Sequence, residues 1–251
     1  MTESPELSEV DHNAHFRALS DLADLLDGWV TQWAEEADKA AQSKPKHEHQ
    51  EDAVISVYQH VGFVEMARGH ALVSSITAFC ESLFKNQLPL LRWSFKGNLP
   101  SEHPRVAQFA SSPASFWDSS KGGEQDGGLP RRVVTILSLG GFIDLFGVDF
   151  EKTLYAVFAY RNAMVHNGYE WPEDERERFA AKVAGNNWTE WFNCSTSGDK
   201  PWYYYTTPLF RKTCLNLCQR SVAAFDAIIL GDSDRLTALD NTSKNKKRRL
   251  I

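Results

Sequence analysis

Apolar residues recur at steps of three and four through most of this chain, and that period commits it to helices. From His15 to Gln42, a stripe of Phe16, Leu19, Leu22, Ala23, Leu26, Val30 and Trp33 stands opposite a face rich in Asp and Glu. A second helical region runs from Asp52 to Leu91. Its apolar positions include Phe63, Met66, Val73, Ile76, Phe79, Cys80, Leu83 and Phe84, the wide stripe expected of a central bundle helix. Gly62 either breaks that helix or merely weakens it. The period returns from Arg131 to Phe146, interrupted at Gly140-Gly141, and again from Asp149 to His166. Asp149 suits the N-cap of the latter, and Gly168 lies just past its end. A short helix opens at Pro172 and reaches Ala184, with acidic residues in its first turn. The last covers Pro208 to Leu230. Between Trp188 and Tyr205 the pattern turns β-like. Trp191, Phe192 and Trp202 to Tyr205 flank a turn at Ser197-Gly198-Asp199, so one small hairpin is expected. Six helical segments with at most one hairpin make an all-α helical bundle, read as one domain over residues 14–231.

The connections are legible as well. Ser43 to Glu51 contains Pro45, four charged residues and two histidines, and reads as a loop. Arg92 to Pro130 carries Pro100, Pro104, Pro113 and Pro130 and then the Gly/Ser-rich run Ser119 to Gly128. It reads as a long irregular insertion, mobile near its end, with one short helix around Arg105 to Ala110. Residues 1–13 look like a ragged start. Residues 232–251 read as a disordered tail ending in the basic run Lys244 to Arg249. Four cysteines in 251 residues do not make a disulfide framework. No apolar run approaches the roughly 18–20 residues that cross a bilayer, and the acidic start lacks a leader's basic flank and apolar stretch. A cytoplasmic protein with no membrane partner is expected. The net charge of −6 excludes a general nucleic-acid coat, so any contact with nucleic acid must use a local basic patch.

The most informative stretch is Leu154 to His166, LYAVFAYRNAMVH. Apart from tyrosine hydroxyls, its polar side chains are Arg161, Asn162 and His166. A helix this apolar is expected to be buried against several neighbours or in an oligomer interface. Phe150, Leu154, Val157, Phe158 and Val165 form a core stripe, and Arg161 falls on it. A guanidinium there is costly to desolvate unless an anion, a carboxylate or water meets it. Asn162 and His166 are four apart and share a face, so the asparagine could orient the imidazole. Histidine moves protons near neutral pH, and arginine stabilises charge building on a phosphoryl group. RNA supplies its own nucleophile, the 2′-hydroxyl.

Arg161-Asn162-Ala163-Met164-Val165-His166 resembles the R-x4–6-H signature of the HEPN superfamily, in its form with a polar residue after the arginine. Members are α-helical bundles, many of them metal-independent ribonucleases of toxin–antitoxin and antiviral-defence systems. The motif covers six residues; the similar helical context extends over about Asp52 to Leu230. The resemblance implies a homodimer in which two copies of the motif form one composite site. It further implies that His166 acts as general acid or base, Arg161 stabilises the phosphorane-like charge, and Asn162 positions His166 or the phosphate. RNA is then the substrate, an antitoxin or regulatory protein a partner, and no metal or cofactor is required. The competing reading is a non-catalytic HEPN-like module for dimerisation or partner binding, with the motif serving structure.

Other residues bear on the same chemistry. Glu81 is the candidate supporting acid for Arg161, although its four-residue step to Lys85 also suits a surface ion pair. Lys200, Arg211 and Lys212 are candidates to hold RNA phosphates. Tyr203, in the run Trp202 to Tyr205, could stack a base, as could Trp188 and Trp191. Packing of the hairpin onto the bundle or onto a dimer mate is the favoured use of these aromatics. His47, His49 and His60 lack the spacing of a helical metal pair. Cys214 and Cys218 fit small core positions. There is no phosphate-binding G-x-x-x-x-G-K-[ST] loop and no G-x-S-x-G elbow.

Overall fold

The three- and four-residue periods become helices in a computed structural model, which describes residues 11–42, 48–93, 109, 128–168, 171–197 and 200–230. Among these, α1 spans His12–Gln42, α2 Glu48–Gln87, α3 Gly128–Leu139, α4 Phe150–Asn167, α5 Glu173–Gly185 and α6 Pro208–Leu230. Strands β1, Phe192–Ser197, and β2, Lys200–Thr206, form one antiparallel hairpin between α5 and α6. No described helix is long and apolar enough to cross a membrane. The expected short helix at Arg105 to Ala110 is represented by Phe109 alone, which is helical and buried. The rest of that helix, the Ser119–Asp126 run and the basic tail lie outside the described residues.

Local chemistry sets the boundaries. The α-helical hydrogen bonding of α2 ends at Gln87, short of the expected Leu91, and a 3-10 turn continues over Leu88–Trp93. Pro89 lacks an N–H and disfavours the α conformation at Leu88, which accounts for the difference. The same helix begins at Glu48, inside the segment expected to be a loop. It runs unbroken through Gly62, beside which the Tyr203 hydroxyl takes the space a β-carbon would need. Helix α3 stops at Leu139. Gly141 adopts φ +74°, and the Phe142 N–H reaches back to the Leu137 carbonyl at 2.8 Å, closing the helix end. Thr207 starts α6: its hydroxyl accepts from the Phe210 N–H at 3.2 Å, and Pro208 takes the first helical position.

The chain divides into two units, whose limits fall inside α1, α2, α4 and α6. One comprises Met1–Phe16, Ala78–Phe158 and Cys214–Ile251. Its core joins Phe79, Leu83 and Phe84 of α2 to Ile136 and Leu137 of α3, Phe150 and Leu154 of α4, and Phe225 of α6. The Phe146 and Phe225 rings meet edge to face at 5.2 Å, and Phe84 meets Phe225 at 6.0 Å. Cys214 and Cys218 are buried here as expected, and so is Cys80. The second unit comprises Arg17–Thr77 and Ala159–Thr213. Tyr160 is its centre. The ring packs on Phe192 at 5.1 Å and Phe179 at 5.8 Å, and the hydroxyl donates to the Tyr204 carbonyl at 2.9 Å. The hairpin therefore builds the core of this unit. Its register shifts between Ser195 and Thr196, where Thr196 faces Pro201, a proline placed where the ladder is already interrupted.

Candidate active site

The R-x4-H motif occupies the last turns of α4, in the second unit. Tyr160, fully buried, fixes the backbone immediately before Arg161. Past the helix end, Gly168 adopts φ +64° and its N–H closes onto the Met164 carbonyl at 2.8 Å. The Asn167 amide also donates to the Ala163 carbonyl, at 3.0 Å. His166 thus stands in a turn held at both edges.

The side chains depart from the expected core stripe. Phe150, Leu154, Val157 and Phe158 are buried, but Val165 is 57% exposed and His166 is exposed. Arg161 is half-buried. Periodicity identifies the stripe of a helix but not how far along it the neighbours reach; in the last turn Met164 is still covered, while Val165 and His166 are not. No carboxylate pairs with Arg161 among the described residues. Its Nη1 donates to the Asn162 Oδ1 at 3.1 Å. Asn162 therefore steadies the arginine rather than the imidazole. Glu81, the expected acid, forms an ion pair with Lys85 on its own helix at 3.7 Å. With about 100° and 1.5 Å per helical residue, Arg161 and His166 stand about 140° apart around the axis and about 7.5 Å apart along it. One copy of the helix does not aim both groups at a single phosphate.

The other expected contacts separate by exposure. Lys212 is open to solvent. Lys200 is exposed and pairs with Glu173, which holds the lysine above and the carboxylate below their ordinary pKa ranges. Tyr203 is half-buried, with Trp202 at 5.3 Å and Tyr205 at 5.9 Å. Trp188, Trp191 and Tyr204 are buried and serve packing, Tyr205 is half-buried, and Trp202 is exposed. Arg211 is 6% exposed. It donates to the Thr206 carbonyl at 2.7 Å and lies 3.5 Å from Asp27. A phosphate would reach it only by displacing Asp27.

That ion pair belongs to a network the sequence reading missed. Arg68, 5% exposed, pairs with Asp27 at 2.8 Å and with Glu65 three residues earlier. Two buried guanidiniums thus share one carboxylate that is half open to water. The Glu65-x-x-Arg68 step was visible in the sequence; its link to Asp27 and Arg211 was not, because the partners lie on three different helices. His70, two residues beyond Arg68, packs edge-on to Tyr160 at 6.2 Å, and burial pulls its pKa down to about 4. Among the described residues no group of three His, Cys, Asp or Glu side chains is arranged to hold a metal.

The described elements define a mostly helical protein with one small two-stranded antiparallel sheet, a half-buried arginine and an exposed histidine at the end of α4. No family model, curated protein or solved structure matches the chain at a significant level.

Proposed function

We propose that this protein is a metal-independent endoribonuclease of the HEPN type, acting as a homodimer in which two α4 ends complete one site. The observation that carries the reading is the state of Arg161. A guanidinium serving structure would sit against a fixed carboxylate; this one is half-open, and its partner is the neutral amide of Asn162. The exposed His166 and Val165 on the same helix end leave a titratable group and an apolar surface for a second copy. Because Arg161 and His166 diverge on one helix, the second copy is also what brings an arginine to face a histidine.

In this mechanism His166 takes the proton of an RNA 2′-hydroxyl as its oxygen attacks the adjacent phosphorus. Arg161 neutralises the charge that builds on the non-bridging oxygens. The bond from phosphorus to the 5′-oxygen breaks, and the departing oxygen receives a proton from the histidine of the pair that holds one. The products carry a 2′,3′-cyclic phosphate and a 5′-hydroxyl. A toxin or defence effector held in check by a regulatory protein is the setting the HEPN resemblance implies. The second reading, a partner-binding module, is favoured by exposed Leu25 and Trp29, four residues apart on one face of α1. Incubating the purified protein with total RNA in EDTA, followed by end-group analysis, separates the two. Cyclic phosphate ends support the nuclease; RNA left intact supports the module.

A further inference from the structure

Helix α1 carries two apolar stripes, and its neighbours cover one of them. Leu19, Ala23, Val30 and Ala37 form the inner stripe and are buried. At about 100° per residue, Leu22, Leu25, Leu26, Trp29 and Trp33 form a second stripe roughly 80° round the axis and about 17 Å long. Leu25 is 71% exposed and Trp29 45%, while Leu22, Leu26 and Trp33 are half-buried. All five lie in the second unit. A continuous apolar strip open to water, unlike scattered single residues, marks an interaction surface. The strip has an acidic border. By the same helical angles Asp21 and Glu36 flank its outer side, with Asp24 and Glu35 further round, and all four are exposed. None of them is in an ion pair among the described residues, whereas Asp27 on the same helix is held by Arg68 and Arg211. Glu36 accepts from the Gln32 amide at 3.5 Å, which supplies no counter-charge.

We propose that this strip docks a basic amphipathic helix of another protein, with apolar residues at steps of three and four and Lys or Arg along the edge that meets Asp21 and Glu36. The steps from Leu22 to Leu26, Trp29 and Trp33 are four, three and four, the alternation with which two helices mesh along a common seam. A half-exposed tryptophan at the middle of that seam is the kind of anchor that dominates binding energy. The unpaired carboxylates set the partner's charge. A second copy of this chain would bring the same acidic border against itself, and like charges side by side oppose association. The same carboxylates repel a nucleic-acid backbone. The inference is independent of α4: the docked helix regulates the protein if α4 cuts RNA, and is the target of a binding module if it does not.

The test is fluorescence anisotropy of a labelled synthetic Leu/Lys peptide of about 18 residues, ~27 Å as a helix, titrated with the full-length protein at physiological salt. A Leu/Glu peptide of the same spacing is the control. The Leu/Lys peptide is expected to bind saturably with a Kd of about 10–100 μM, the range of weak interfaces, and the Leu/Glu peptide not to bind. Leu25→Glu/Trp29→Glu separates docking from mere charge attraction, because it adds two acids while removing the anchors. Binding should weaken about tenfold or more, the scale of a lost anchor, whereas charge attraction alone would strengthen it. Leu25→Glu alone, at the more exposed position, serves if the double variant does not fold. Asp21→Lys/Glu36→Lys should weaken binding about threefold or more, the scale of exposed charge pairs. Absence of saturable binding by the Leu/Lys peptide, equal binding of the Leu/Glu peptide, or binding undiminished in the folded Leu25→Glu variant would overturn the proposal. So would a wild-type dimer that Leu25→Glu dissociates in sedimentation, since the strip would then belong to a second copy.

Discussion

At the scale of residues, the division between exposed and packed groups is sharp at the end of α4. His166 is exposed and Tyr160, six residues earlier, is fully buried. His166→Ala is therefore expected to leave stability within ~1 kcal/mol, since an exposed imidazole near a helix C-terminus contributes no more than that. RNA cleavage should fall by ~10²–10⁴-fold, the loss typical of a removed acid–base group. Denaturant melts and single-turnover rates on one preparation check both halves. Asp27→Ala should behave in the opposite way. It strips the shared counter-charge from Arg68 and Arg211, and a cost of about 2–4 kcal/mol is expected, below the full value for a buried pair because Asp27 is 53% exposed. Urea midpoints would show it. His70 adds a pH dependence whose sign is fixed by its lowered pKa. Between about 6.5 and 4 the unfolded chain takes up a proton that the folded chain refuses, so stability falls as pH drops through that window. After allowance for partial exposure the loss is about 1–2 kcal/mol. His70→Gln should flatten this part of the stability profile, and an unchanged slope would remove His70 as its source. Arg161, Asn162 and His166 were legible from the sequence because they interrupt an apolar run. Arg68 and Asp27 were not, because residues that meet across helices leave no spacing to read.

At the scale of elements, the periods located every helix of more than ten residues among those described, and stereochemistry placed the ends. Pro89 moved the α2 boundary, and the glycines after α3 and α4 closed those helices in the left-handed region. The hairpin was legible from its aromatic strands, but its role was not. An exposed stacking surface and a packed core use the same Trp and Tyr residues, and only the contact of Tyr160 with Phe192 and the Tyr204 carbonyl decides between them. The extent of cover on α4 was illegible for a related reason: Val165 continues the stripe of Leu154 and Phe158 but is exposed, while Met164 beside it is buried. Gly168 carries a prediction here. Its φ of +64° strains any residue with a β-carbon, so Gly168→Ala should cost about 1–2 kcal/mol, with Gly168→Asn milder. Nothing lies within 4 Å of the space a β-carbon would take, so the effect is conformational and not steric crowding. Thermal melts of the two variants test the ordering, and equal loss in both would contradict it.

At the scale of the whole molecule, the proposed catalysis at the end of α4 needs two chains. An exposed Val165 between Asn162 and His166 is the natural contact, and Val165→Lys is expected to shift the protein to monomer with its fold retained. Sedimentation at tens of micromolar checks this, about the range in which weak interfaces are populated. A wild-type protein that is monomeric there would break the link between the helix end and a shared site. The most direct test of that site compares wild-type and His166→Ala protein cutting the same RNA in EDTA, with the fold of both verified by circular dichroism. Wild type is expected to yield 2′,3′-cyclic phosphate ends and the folded variant almost none. Equal cleavage by the two proteins, or no EDTA-resistant cleavage by wild type, would contradict the role assigned to α4.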